Sequence, residues 1–296
     1  MRVFLAGASG VMGRELIPRL LADGHEVVGT TRTRGSLDGS GATEFVGDVR
    51  DRAAFIATAS ALQCDAVIHQ LTAYRKPPRT FRRMVATNRL RSEGTNTLVA
   101  AARAMGATTF IAASSVYGYG FGQHGDVVLD ESSRFGKETT GPILAVESAL
   151  GSLEQQVRAI GGISLRYGIF YAPGGRIPPI PKDADGVLPF VALSDAADAT
   201  ILALTRGTSG ATYNIVDDEP VSWRTLHEAR ALAAGAPPPT EYRSRTIALA
   251  APFAADLVTR TSLRVSNSLA KAELGWVPEY PTYRDALASA SVGSAP

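Results

Sequence analysis

The sequence predicts an α/β fold: a doubly wound parallel sheet followed by a small C-terminal α/β lobe. Three observations carry this. Short strand-like runs alternate with helical ones from the first residues, a glycine turn joins the first strand to the first helix, and the composition becomes rich in proline and glycine after residue 171. Alternation of this kind marks β-α-β units, whose parallel strands require helical crossovers. Apolar runs at 2–6, 26–30, 42–46, 66–71, 109–113 and 163–167 read as the strands, with 87–105 and 142–159 among the helices between them.

The first element pair is the most informative. Val3-Phe4-Leu5-Ala6 runs directly into Gly7-Ala8-Ser9-Gly10-Val11-Met12-Gly13, and Leu16, Leu20 and Leu21 follow at helical spacing. Glycines there let the backbone turn sharply and approach a pyrophosphate, while the helix start offers free N–H groups to the anion. The pattern is that of a Rossmann-type dinucleotide site. The second run ends in Thr30-Thr31-Arg32, with Arg34 just beyond, where a ribose 2′-hydroxyl would call for a carboxylate. Guanidinium groups suit a 2′-phosphate instead. The reading is therefore NADP(H) in preference to NAD(H), with Arg32 as the favoured contact and Arg34 more simply solvated.

Ligands of such sheets lie beyond the carboxyl ends of the strands. The exits to watch are 7–13, Arg32, Asp48, 69–73, 114–120 and 167–175. Pro173, Pro178, Pro179 and Pro181 then make a segment too rigid for a helix and too proline-rich for a central strand. It divides a dinucleotide-binding core, 1–171, from a smaller substrate lobe, 172–296, with the chain crossing back to the core near 191–216. Later segments read as a helix at 193–206, a strand at 212–216, a helix at 223–234, a proline turn at 237–239 and an apolar helix at 247–258. Residues 291–296 read as a frayed tail.

Composition narrows the partners. With 30 basic and 28 acidic residues the formal net charge is +2, too small a field for nucleic acid, and no basic stripe with interleaved aromatics occurs. Small-molecule partners are expected. Cys64 is the single cysteine and reads as a buried strand residue, compatible with a reducing compartment. His25, His69, His124 and His227 are scattered, so no metal is expected. No run approaches the roughly 20 apolar residues of a membrane span. The expectation is a cytoplasmic protein.

Further motifs make the reading specific. Asp65-Ala66-Val67-Ile68-His69, 87–95, Ser114-Ser115-Val116-Tyr117-Gly118, 165–174, Ser194-Asp195-Ala196-Ala197, Tyr213-Asn214-Ile215, Arg264-Val265-Ser266-Asn267 and 273–278 together resemble the extended short-chain dehydrogenase/reductase superfamily. Within it the chain looks like the NAD-dependent epimerase/dehydratase subgroup, over nearly its whole length. The resemblance implies cofactor contacts from Gly7, Ser9, Gly10, Val11, Met12 and Gly13, from Arg32, Asp48 and Val49, and from Gln70, Leu71, Thr72 and Ser114. Asp48 matches the acid that meets the adenine amino group, although a turn role is the simpler alternative. Gln70 and Thr72 replace more usual small or apolar residues, and His69 and Asn88 read as structural.

One departure limits the functional inference. In this superfamily a tyrosine exchanges the substrate proton, a lysine four residues later lowers its pKa, and a serine orients the carbonyl. None of the nine tyrosines here is followed four residues later by lysine. Anchoring the helix on 152–155 puts Val146 and Leu150 at the two places; anchoring it on Glu147 puts Thr139 and Ile143 there. Ser115 matches the serine. Tyr117, Tyr119 and Tyr167 are the candidate replacement phenols, each with packing as its alternative role, and Tyr74 and Glu147 are weaker candidates.

The leading expectation is an NADP(H)-dependent oxidoreductase, a reductase of a small, partly apolar carbonyl or enone, with Ser115 as hydrogen-bond donor. Without the lysine, a tyrosine of pKa near 10 is a poor base, which favours reduction over alcohol oxidation. Two alternatives are a non-redox isomerase, lyase or cyclase that retains the dinucleotide, and a non-catalytic NADP(H)-sensing or scaffold protein. The segment 174–191 is short and proline-rich, which disfavours a nucleotide sugar, and Tyr74, Tyr119, Tyr171, Ile177 and Phe190 are the expected pocket lining. The resemblance also implies a possible homodimer through the helices at 87–105 and 142–159.

Overall fold

Val3 and Leu5 face one side of the first strand, Phe4 and Ala6 the other, and all are fully buried. A strand covered on both faces belongs in the middle of a sandwiched sheet. In the computed structural model, which describes residues 1–73, 78–136, 140–172, 174 and 177–292, that is its position. The parallel sheet comprises β1 (Arg2–Ala6), β2 (Glu26–Thr31), β3 (Thr43–Val46), β4 (Ala66–His69), β5 (Thr109–Ser115), then Ile163–Tyr167 and Thr212–Ile215. Across the sheet the order is β3, β2, β1, β4, β5, Ile163–Tyr167, Thr212–Ile215. Strand order reverses beside β1, and a crevice opens at such a switch point.

Each face has its own core. Val3 and Leu5 pack with Leu16, Ile17 and Leu20 of α1 (Val11–Ala22), with alanines of the helix Leu193–Arg206, and with Trp276. Phe4 and Ala6 pack with Phe45, Phe55, Leu98, Met105 and Leu153. Registers bring the strand exits level: Ala6 lies beside His69, His69 beside Ala112, and Ser115 beside Tyr167. A separate cluster of Tyr171, Leu188, Phe190, Leu226, Leu257 and Tyr283 gathers the later segments.

Several boundaries differ from the sequence reading for identifiable reasons. The helix expected at 87 begins at Phe81, passes through a π turn at Leu90–Gly94, and continues over Thr95–Met105. Its first turns carry Arg82 and Arg83, which obscure the apolar period, although Met84 and Thr87 are buried. The helix expected at 247–258 is two, Ser244–Ala250 and Pro252–Arg260. Ala251 lies between them at φ −150° and ψ 64°, since the residue before proline is driven out of the helical region. A strand at Gln123–Leu129 pairs in parallel with Ser262–Val265. Its Val127 and Val128 are exposed, so it lacks the alternation that identifies a half-buried strand. The last helix, Tyr283–Val292, takes in residues read as tail.

Cys64 is buried just ahead of β4. Among the described residues no helix is long and apolar enough to cross a membrane, and no group of side chains is arranged to hold a metal.

Two features of the junction between the sheet and the later segments lead to measurements. Trp276 is buried, and its Nε1 donates to the Asp195 carbonyl at 3.1 Å, while the Asp195 carboxylate accepts from the N–H groups of Glu279 and Tyr280. Trp276→Ala is expected to lower unfolding free energy by about 3–5 kcal/mol in urea titration. Asp217 is buried, with Oδ2 accepting from the Tyr171 hydroxyl at 2.8 Å and Oδ1 from the Ala192 N–H at 3.3 Å. Desolvation pushes its carboxyl up to about 8 from 3.8. In that window the folded chain keeps a proton that the unfolded chain releases, so Asp217 lowers stability as pH rises. Asp217→Asn is expected to remove this part of the pH slope, read as the difference between the two proteins' stability-against-pH curves.

Candidate cofactor and active site

The glycine turn is built by contact. Gly7 has φ +96°, and a Cβ on it would lie 2.8 Å from the Gln70 carbonyl oxygen at the exit of β4. A Cβ on Gly13 would lie 2.4 Å from the carbonyl oxygens of both Gly7 and Ala8. Only glycine permits either approach. Gly10 caps α1 without a side-chain bond, and no acidic residue occupies the first helical turn. Ser9, Gly10 and Val11 are exposed. The arrangement suits an anionic ligand at the N-terminus of α1, within reach of main-chain donors.

The other cofactor candidates divide by what surrounds them. Arg32 is exposed beyond the buried Thr30 and Thr31, and the following segment is held by Glu44, whose carboxylate accepts from the N–H groups of Gly35 and Leu37. Asp48 is half-buried and bound by both the side chain and the N–H of Arg50. Those bonds, with a contribution from the charge of Arg32, hold its carboxyl below the usual carboxylate range. Met12 and Val49 are buried in the core, leaving their main chain for a ligand. Thr72 is exposed and Leu71 half-buried, its N–H donating to His69 Nδ1. His69 Nε2 reaches Thr95 Oγ1 at 3.1 Å, and burial with the nearby Arg91 charge pulls the ring down to about 4, leaving it neutral.

Two candidates assigned to the cofactor have other partners. Gln70 is buried and donates through Nε2 to the Tyr167 hydroxyl at 3.0 Å. Ser114 is buried and donates through Oγ to Glu154 at 2.6 Å. In this geometry both side chains are committed to interior partners.

The candidate phenols separate just as clearly. Tyr167 is buried, its hydroxyl shared with Thr200 at 2.7 Å, and burial pushes it up to about 12. Tyr119 is 2 % exposed; its hydroxyl accepts from Arg166 at 2.8 Å and lies within bonding distance of the Asp130 carbonyl and Asn214 Oδ1. Both hydroxyls are committed to interior partners, which weighs against either as the proton donor. Tyr117 remains half-buried beside Ser115, whose Oγ accepts from the Tyr117 N–H at 3.4 Å.

The helix Leu144–Arg158 carries one of the two registers for the missing pair. Val146 and Leu150 stand on it one turn apart, Ile143 is its N-cap, and Thr139 lies outside the described residues. Val146 is 1 % and Leu150 0 % exposed, packed with Met84 and Phe253 and flanked by Phe81, Tyr117, Phe121 and Phe135. In that register, apolar side chains stand at the places where the resemblance calls for tyrosine and lysine. Glu147, on the same helix, is buried.

Among the expected pocket residues, Tyr171 and Phe190 are buried neighbours, Ile177 is half-buried, and Tyr74 lies outside the described residues. The sequence reading missed the pair that organises the site. Arg166 and Glu154 form a buried ion pair at 2.7 Å, and the guanidinium lies 3.8 Å from the centre of the Phe135 ring. An arginine between Leu165 and Tyr167 in a central strand was the available signal.

The profile of the NAD dependent epimerase/dehydratase family matches residues 3–216. A 3-diazoavenalumate denitrifying reductase from a Streptomyces species is 36% identical, the alignment covering 97% of this chain and 99% of that protein. Among solved structures, the UDP-glucose 4-epimerase of Thermotoga maritima with UDP-glucose superposes with a TM-score of 0.78 at 17% identity over 100% of both chains. The UDP-glucose 4-epimerase of Thermus thermophilus with NAD gives 0.75 at 22% identity, again over 100% of both. With the glycine turn, the strand order and the aligned strand exits, these matches identify the chain as a member of the NAD dependent epimerase/dehydratase family.

Proposed function

We propose that this protein is an NADP(H)-dependent reductase whose substrate accepts hydride without a proton from the enzyme's usual tyrosine. The observation that carries the reading is the buried Val146 and Leu150. Reducing a carbonyl leaves an alkoxide that must be protonated, and a positioned acid typically contributes about 10²–10⁴-fold. An apolar pair supplies no such proton, and Tyr119 and Tyr167 are engaged in the interior.

The relative named as a denitrifying reductase of a diazo compound supports a substrate that avoids the difficulty. When hydride reaches a carbon bearing a diazonium group, the new C–H bond uses the hydride pair, and the C–N pair leaves with dinitrogen: R–N₂⁺ plus H⁻ gives R–H plus N₂. Charge and atoms balance without an enzymic acid. The bound dinucleotide supplies the hydride. The protein's own residues hold the reactants, and good positioning alone is worth about 7–11 kcal/mol. Ser115 orients the acceptor from the exit of β5. A carbonyl or enone substrate is the second reading, favoured by the half-buried Tyr117 beside Ser115.

Support for the phosphorylated cofactor comes from Thr30, Thr31 and Arg32 at the end of β2, with Glu44 committed to main-chain N–H groups. The turn at 7–13 would hold the pyrophosphate, and Asp48 would meet the adenine after releasing Arg50. Arg32→Ala is expected to weaken NADPH binding about 10–100-fold, the range of a charge-assisted bond, and to leave NADH within about twofold. Calorimetric titration with each nucleotide reads this directly, and equal weakening of both would overturn the assignment.

Chemistry is tested with NADPH deuterated at the transferring position and a panel of diazonium and carbonyl electrophiles. The expected product carries deuterium at the carbon that lost nitrogen, one NADPH is consumed per turnover, and the rate is unchanged in heavy water. Conversion without NADPH consumption would favour an isomerase or lyase. Binding without conversion of any compound would favour a sensor.

A further inference from the structure

Resting on the reductase reading, we propose that Phe81, Tyr117 and Phe121 form a wall that selects a planar aromatic hydride acceptor carrying an anionic group. The rings come from separate parts of the chain. Phe81 opens the helix Phe81–Arg89, Tyr117 and Phe121 follow β5, and Phe253 belongs to the helix Pro252–Arg260. Tyr117 and Phe121 lie 5.5 Å apart between centroids at 88°, Tyr117 and Phe253 5.9 Å at 74°, and Phe81 and Phe253 5.3 Å at 78°. These are edge-to-face arrangements, in which each ring presents its positive rim to its neighbour's negative face. A planar aromatic guest extends the same pattern, and a saturated ring of similar size does not.

The location gives the cluster its function. Ser115, the acceptor-orienting serine of the proposed reaction, is two residues from Tyr117 and bonded to its N–H. Val146 and Leu150 pack beneath the cluster, both buried with Met84 and Phe253. Phe253 is buried as well, whereas Phe81, Tyr117 and Phe121 keep partial exposure, so they are the rings a ligand can reach. Phe253 is thus a positioning residue. Its N–H donates to the Arg79 carbonyl at 3.1 Å, which ties the segment ahead of Phe81 to the cluster.

Charge on the residues flanking Phe81 in the chain supplies the second half of the proposed specificity. Arg79, Arg82 and Arg83 bracket Phe81, are exposed, and form no ion pair among the described residues. Guanidinium groups on the segment that carries Phe81 match an aryl compound whose carboxylate stays at the surface while the ring meets the cluster. The aromatic faces also favour a cationic reacting group over a neutral one, which agrees with an electron-poor diazonium carbon.

The test uses the NADP⁺-loaded protein and calorimetry with 3-phenylpropanoate, 3-cyclohexylpropanoate and the methyl ester of the phenyl acid. The phenyl acid is expected to bind about tenfold more tightly than either comparison compound, about 1.4 kcal/mol. Phe121→Leu and Tyr117→Leu are expected to bring the phenyl-to-cyclohexyl ratio towards one, and Arg82→Ala combined with Arg83→Ala to bring acid and ester together. Phe121 is half-buried, so its variant keeps a folded reference if Tyr117→Leu does not fold. Equal binding of phenyl and cyclohexyl acids by the parent protein would overturn the aromatic wall, and equal binding of acid and ester would overturn the arginine rim. Either result leaves the reductase reading standing if labelled NADPH still transfers its deuterium. Failure of that transfer with tight phenyl binding would remove the reductase reading and keep the site.

Discussion

Arg166 carries a full charge into the middle of the sheet, and the arrangement of the site follows from how that charge is met. Glu154 meets it with two oxygens, Tyr119 accepts from its remaining nitrogen, and Phe135 covers its face. Such a pair gains little net stability over an apolar replacement, because both ions give up their water. What it supplies is register. Glu154, Leu150 and Val146 are spaced by four residues and share one face of their helix, so fixing Glu154 on Arg166 also fixes the other two against the cluster beside β5. Ser114 donates to the same carboxylate, linking β5 to the helix directly.

The same network accounts for the loop after β5. Gly118 lies so close to the Phe135 ring that a Cβ there would fall 1.8 Å from it, and the Gly136 N–H donates to the Gly118 carbonyl at 2.6 Å. Asn214 joins from the last sheet strand, its N–H donating to Glu131. Distant chain segments therefore converge on one guanidinium. The tyrosine that sequence motifs suggested as an acid, Tyr119, belongs to this assembly, its hydroxyl held by Arg166, Asn214 and the Asp130 carbonyl.

The fold was largely legible because its signals are local. Fully apolar strands, a glycine turn and helical spacing at Leu16 and Leu20 each reflect a backbone preference or a buried face that a short window contains. Boundaries were less legible where two local preferences competed, as at Ala251 before Pro252 and in the arginine-rich turn after Phe81. The site was legible only as a set of strand exits. Whether Ser114, Gln70, Tyr119 and Tyr167 face the crevice or the interior depends on partners 33 to 97 residues away, such as Thr200 for Tyr167 and Tyr167 for Gln70. No periodicity encodes those contacts. The lack of a tyrosine and lysine four apart was visible at once, whereas the burial of Val146 and Leu150 depends on packing with Met84 and Phe253 from other parts of the chain.

That packing bears on how catalysis could change within a conserved scaffold. A lysine at position 150 would need water or partners for its ammonium, and a tyrosine at 146 a partner for its hydroxyl, whereas leucine and valine need neither. Once they are present the local medium becomes dry and apolar, which penalises an alkoxide left without a proton and suits a reaction that ends in neutral products. Dinitrogen is such a product. The glycine turn and the strand exits, built by backbone geometry, are untouched by this exchange. On the proposed reading, replacing two side chains on one helix face turns the fold from proton-coupled chemistry towards hydride transfer alone, and the aromatic rings packed on that face take over selectivity.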